Sequence, residues 1–169
     1  GIPLEALSKV SGKSIVRIMP NMPVSVGEGM TALAASSDVS EERVAAICTI
    51  LEASGKVERV DEKLMDCVTA VSGSGPAYAF VFIEALADAA VRSGMPRAAA
   101  YVYAAQTVKG AAAAVLTSGK NPASLKDAVC SPGGTTIEGV AALEKGGFRS
   151  AVFDAVKAAC EKSAAMSKR

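Results

Sequence analysis

Cys130-Ser131-Pro132-Gly133-Gly134-Thr135-Thr136-Ile137-Glu138 is a run of small residues that leads straight into a helical pattern. Pro132 has no amide N–H and a fixed φ, so it does not belong in a helix interior. Gly133 and Gly134 permit positive φ and let a ligand come close to bare backbone. Thr135 or Thr136 is expected to N-cap the helix, and Glu138 in the first turn suits the helix dipole. Amides at a helix start have no intrahelical acceptor, which makes them a site for phosphate or carboxylate. The two threonine hydroxyls add donor and acceptor groups beside that anion. Taken alone, the run is also explained as a capped loop between two helices.

Outward from this loop the pattern is helical. Pro122 to Val129 leads in, Gly139 to Glu144 leads out, and Gly146-Gly147 breaks the chain before a last helix from about Arg149 to Ser167. Lys168 and Arg169 then suit the C-terminal dipole. Upstream, residues 97–116 are alanine-rich and apolar on nearly all sides, which predicts a buried helix in an all-α core or a subunit interface. Asp61 is expected to cap a helix from Glu62 to Ala70. Ser72-Gly73-Ser74-Gly75 follows as a turn, and Pro76 starts a helix over Ala77 to Arg92. Glu84, Asp88 and Arg92 recur at i, i+4 and i+8, a solvated or interface seam and not a metal site.

The first sixty residues read differently. Gly1 to Lys13 suggests the end of a helix and a turn, and Ser14 to Met19 a β-branched strand stopped by Pro20-Asn21-Met22-Pro23. A second strand over Glu28 to Ala35, a helix from Glu41 to Ala53 capped by Asp38 and Ser40, and a third strand at Lys56 to Val60 follow. Strand, helix, strand is an α/β fragment too small to close its own sheet. The dinucleotide fingerprint is missing: Gly73-Ser74-Gly75-Pro76-Ala77-Tyr78 lacks the third glycine and follows no strand.

Composition narrows the function. Half of the 169 residues are hydrophobic, 21% are charged and the net charge is +1, so no basic stripe for nucleic acid exists. Histidine is absent, which removes the usual general base and the Ser–His and Cys–His nucleophiles. Cys48, Cys67, Cys130 and Cys160 form no CxxC pair and read as small buried hydrophobes in a reducing compartment. Neither a metal site nor a signal peptide is visible, and no uninterrupted run of 18 apolar residues suggests a membrane span.

Residues 122–144, together with Val71-Ser72-Gly73-Ser74-Gly75-Pro76-Ala77-Tyr78 and Arg17-Ile18-Met19-Pro20-Asn21-Met22-Pro23, resemble three segments of the pyrroline-5-carboxylate reductases in the same order. The resemblance implies a mainly α protein: residues 61–169 as a helical dimerisation and substrate-binding domain, and residues 1–60 as the last strands and helix of a Rossmann-like domain. It implies reduction of 1-pyrroline-5-carboxylate to L-proline with NADPH or NADH, in a cytoplasmic homodimer or larger homo-oligomer, without nucleic acid or membrane. The implied substrate site is Ser131, Gly133, Gly134, Thr135 and Thr136, with the Thr136 hydroxyl as the catalytic donor near the ring nitrogen. Met19, Pro20, Asn21 and Glu62 are the implied cofactor residues. Ala128 stands where the family often carries a cofactor-contacting asparagine. A catalytically inactive dimerisation or substrate-binding fragment is the competing reading.

Overall fold

The computed structural model describes residues 2–166, which form two compact units, 2–77 with 153–166 and 78–152. The first is built on a three-stranded sheet. Its middle strand, β2 (Gly29–Ala35), is buried at nearly every position, the mark of a strand covered on both faces. β1 (Val16–Met19) lies antiparallel to it, with Val16 opposite Ala35 and Met19 opposite Ala32. β3 (Gly55–Arg59) runs parallel to β2, Leu33 facing Arg59. A parallel neighbour requires a crossover, and α2 (Glu41–Leu51) supplies it. The Ser40 hydroxyl caps α2 by accepting from the Arg43 amide at 3.4 Å. Asp38, expected to share that role, instead accepts from the Ser14 hydroxyl at 2.7 Å.

α1 (Leu4–Ser11) ends at Gly12, whose φ of 64° is a left-handed C-cap. Leu4 joins Ala32, Ala34 and Met65 in a core to which Ile15, Met19, Val60 and Val68 add their partly buried side chains. Leu33 is fully buried, and Val44 of α2 is 4% exposed.

After β3, Asp61 caps a 3-10 turn at Glu62–Leu64 through the Lys63 amide, and α3 (Met65–Val68) follows. The turn expected at Ser72-Gly73 is not a break. Thr69–Gly73 is one π-helical turn, closed by the Ser74 amide on the Thr69 carbonyl at 2.9 Å, and α4 (Gly75–Arg92) continues from it. Pro76 has no amide N–H to give the Ser72 carbonyl, which accepts instead from Asn21 Nδ2 at 3.1 Å. Residues 62–92 thus form a 31-residue helical run with the length and hydropathy of a membrane span, which the sequence alone did not reveal.

In the second unit, α4 is followed by α5 (Arg97–Ser118), α6 (Pro122–Val129), α7 (Thr135–Lys145) and the start of α8 (Phe148–Met166), which belongs to the first unit from Phe153 on. Ala87, Ala100 and Ala104 are buried between α4 and α5, with Ile83, Ala90, Val91 and Met95 around them. Small side chains let the two backbones approach, and Phe82 meets Phe148 at a 5.7 Å ring separation. Asp88 of the polar seam pairs with Arg97, and no metal-binding cluster occurs among the described residues. Of the two settings expected for α5, burial in the core of the single chain is not met, since Val102, Tyr103 and Leu116 are 64–67% exposed there. One neighbouring helix covers one stripe of an all-apolar helix and leaves the rest bare. Of the last helix and its basic end, Ser167, Lys168 and Arg169 lie outside the described residues.

Candidate functional site

α6 stops at Cys130, and the chain reverses through a turn closed by the Gly134 amide on the Ser131 carbonyl at 3.0 Å. Pro132 in the second position and Gly133 with φ 64° in the third meet the demands of a type II turn. Gly134 departs from the sequence reading. Its φ of −82° and ψ of 170° are open to any residue, and it is the N-cap of α7, without a side-chain cap from either threonine. What requires glycine there is room, because a Cβ would overlap the Ser131 hydroxyl and lie 3.2 Å from the Ser131 carbonyl oxygen.

These facts shift the available donors by one residue. The Gly134 amide is committed to Ser131, whereas Thr135, Thr136 and Ile137 are the first three residues of α7, whose amides have no acceptor within their own helix. Ser131, Gly133 and Thr135 are exposed, and Thr136 is half-buried. Nearby, Lys126 is drawn above its ordinary pKa by the Asp127 carboxylate 2.7 Å away, so that cation is occupied. The loop offers a small acidic ligand three amides with two hydroxyls beside them.

The other implied residues lie in the first unit. Met19 ends β1, Pro20 and Asn21 follow, and Glu62 starts the 3-10 turn after β3. Glu62 Oε1 accepts from the Leu4 amide at 2.7 Å and from Arg17 Nη1 at 3.0 Å, binding α1, β1 and the 3-10 turn together. Asn21 Oδ1 accepts from the Met30 amide at 2.9 Å, and its Nδ2 donates to the Ser72 carbonyl at 3.1 Å. The Met19 methyl lies 2.6 Å from where a Gly73 Cβ would be. Met19 and Asn21 therefore come together with the Ser72-Gly73 turn, and Glu62 is grouped with α1 instead.

A nicotinamide dinucleotide needs a cradle for its pyrophosphate, and the connection between β2 and α2 does not provide one. The β2–α2 connection, Ser36 to Ser40, has no glycine, and Glu41 and Glu42 in the first turn of α2 repel phosphate. Sequence reasoning missed two groups. Arg17, one charge within a β-branched run, is the half-buried partner of Glu62, its side chain 17% exposed. The Ser72 hydroxyl is buried without a hydrogen-bond partner beside Asn21's own contact.

A short mixed sheet followed by helices defines a helical dimerisation domain preceded by the end of a Rossmann-like segment. The sequence family described as "Pyrroline-5-carboxylate reductase dimerisation" matches residues 62–166. The pyrroline-5-carboxylate reductase of Escherichia coli K12 is 49% identical over 170 residues, covering 99% of this chain and 63% of the relative. That of Synechocystis is 50% identical, covering 100% and 64%. The Plasmodium falciparum pyrroline carboxylate reductase structure, with NADP bound, superposes with a TM-score of 0.90 at 39% identity, covering 98% of this chain and 68% of that one. The Coxiella burnetii enzyme gives 0.95 at 37%, covering 100% and 64%. The chain belongs to the pyrroline-5-carboxylate reductase family. It spans just under two thirds of the length of the curated relatives it matches.

Proposed function

We propose that the protein reduces 1-pyrroline-5-carboxylate to L-proline, with NADPH or NADH as hydride donor. The observation that carries this reading is the loop before α7. Three helix-start amides and the Ser131 and Thr135 hydroxyls suit a carboxylate, and Thr136, second in the helix, brings a hydroxyl to the ring nitrogen of a substrate held there. Hydrogen bonding at that nitrogen makes the imine carbon more electron-poor, and positioning does the rest, so a chain without histidine suffices. The reducing cofactor supplies the hydride when bound; the β2–α2 connection offers no cradle for its pyrophosphate. Residues 1–60 are read as the end of a dinucleotide-binding domain and 61–169 as the dimerisation and substrate domain. The exposed apolar surface of α5 suits a second copy, in a homodimer or larger homo-oligomer. The four free cysteines, expected to be buried but exposed at Cys67 and half-buried at Cys48, Cys130 and Cys160, accord with a reducing, cytoplasmic setting.

The test compares this chain with a chimera carrying the N-terminal part of the Escherichia coli relative that the chain does not span. Substrate-dependent NADPH oxidation by the chimera is the expected result, with a two-fold assembly by sedimentation. A folded chimera without such oxidation overturns the reading. Activity confined to the chimera identifies the chain alone as the substrate-binding and dimerisation part.

A further inference from the structure

We infer that Asn21 is a positioning residue, which acts on the reduction by holding the Ser72-Gly73-Ser74 turn and does not touch the nucleotide. The inference rests on the function proposed above and deepens it. Its origin is a deficit in the helix. A carbonyl at position 72 would ordinarily accept from the amide four residues on, but that residue is Pro76, which has no N–H. The Ala77 amide, the next along, donates to Ser74 at 3.0 Å. Asn21 Nδ2, arriving from the end of β1, supplies the missing donor at 3.1 Å. Its Oδ1 takes the Met30 amide at the start of β2 at 2.9 Å. The orientation of the carboxamide is forced, because an amide needs an acceptor and a carbonyl needs a donor. Both ends of the group are thus engaged within the protein, an arrangement that fixes backbone.

What it fixes bears the marks of a site. A π-helical turn within a long helix is uncommon and recurs at functional positions. The buried Ser72 hydroxyl there has no partner among the described residues, a deficit that a polar ligand atom would relieve. Gly73 is bare backbone under the Met19 methyl. Met19, Thr69 and Ser74 line an open cleft of about 410 Å³ together with Arg17 and Lys162. The Met19-Pro20-Asn21 strand end and the Ser72-Gly73-Ser74 turn are one interlocked piece, and the carboxamide of Asn21 is its pin.

Asn21→Asp separates the two halves of the clamp, since it keeps the acceptor for Met30 and removes the donor to Ser72. In this chain, amide exchange at Ser74 is expected to quicken about tenfold, the effect of one lost hydrogen bond, with the Met30 amide still protected. In the chimera, kcat is expected to fall roughly ten- to a hundredfold while KM for NADPH stays within about twofold. Unchanged exchange at Ser74 overturns the clamp. A raised KM for NADPH with kcat retained shows that Asn21 touches the nucleotide and overturns the inference. Faster exchange with both kinetic constants retained reduces Asn21 to a fold residue and does so too. Should the aspartate variant fail to fold, Asn21→Ser, smaller and neutral, is read by the same kinetic split. A wild-type chimera without turnover refutes the proposed function and the catalytic part of this inference, while the exchange result still decides the clamp.

Discussion

Replacing Gly134 with alanine separates the site reading of the loop from the turn reading. Gly134 has ordinary extended backbone angles, so the substitution introduces no strain in φ. The new Cβ would lie 3.2 Å from the Ser131 carbonyl oxygen and 3.5 Å from the Ser131 Cβ, contacts relieved by shifts of a few tenths of an ångström. Its conflict is with the Ser131 hydroxyl, which must turn away. Ser131 is exposed, so the displaced rotamer costs about 0.5–1 kcal/mol. Removing a glycine from the unfolded chain offsets that by about 0.4–1 kcal/mol. The melting temperature should therefore move by no more than about 2–4 °C. Binding is another matter: a hydroxyl donating to a carboxylate contributes about 1.5–3 kcal/mol, roughly ten- to a hundredfold in affinity. Titration of proline against the chain, alongside calorimetric melting, reads both quantities. In a Ser131→Ala background, Gly134→Ala should cost nothing further, because the clashing group is gone. Unchanged proline affinity together with a melting temperature lowered by more than about 8 °C would show that the glycine serves the turn and refute the reasoning.

Three further outcomes are expected. Thr136→Ala should lower kcat in the chimera by roughly ten- to a hundredfold with little change in NADPH affinity, and an unchanged rate removes its hydroxyl from the mechanism. Leu33→Ala, in the middle strand and fully buried, should destabilise the first unit by about 2–5 kcal/mol in urea unfolding. The Asp38 carboxyl is held below the ordinary aspartate range by the Ser14 hydroxyl first, then by Ser36 and its own backbone amide. With the folded pKa depressed, its contribution is present above the unfolded value and lost as pH falls through the folded one. Ser14→Ala should raise the Asp38 midpoint in an NMR titration, and no movement would exclude that bond.

Local signals made the order of elements legible. A β-branched run marked the first strand, Ser40 and Asp61 cap where a cap was expected, and glycines at 12, 94 and 119 end helices with positive φ. What was not legible depends on distant partners. The π-helical turn at Thr69–Gly73 meets Asn21 and Met19 from some fifty residues away, and no window of sequence contains both partners. Glu62 was read from resemblance, and its bonds to Leu4 and Arg17 required the fold to be known. The capping threonines failed for a local reason: the Pro132-Gly133 turn sets Gly134 at the cap and carries both threonines into the helix. For α5, composition said that the helix is apolar but not what would cover it.

The three-stranded order β1-β2-β3 leaves the outer flanks of β1 and β3 unpaired within the described sheet. Rows of open N–H and C=O groups recruit other chains unless charge or irregularity guards them. β3 is guarded, since Lys56, Glu58 and Arg59 place three charges in five residues. β1 is not: its one charge, Arg17, is turned inward to Glu62, and Ile18 is 42% exposed. Intermolecular β-pairing in concentrated solution would begin at Val16–Met19, and an added charge at Ile18 is the substitution that should suppress it.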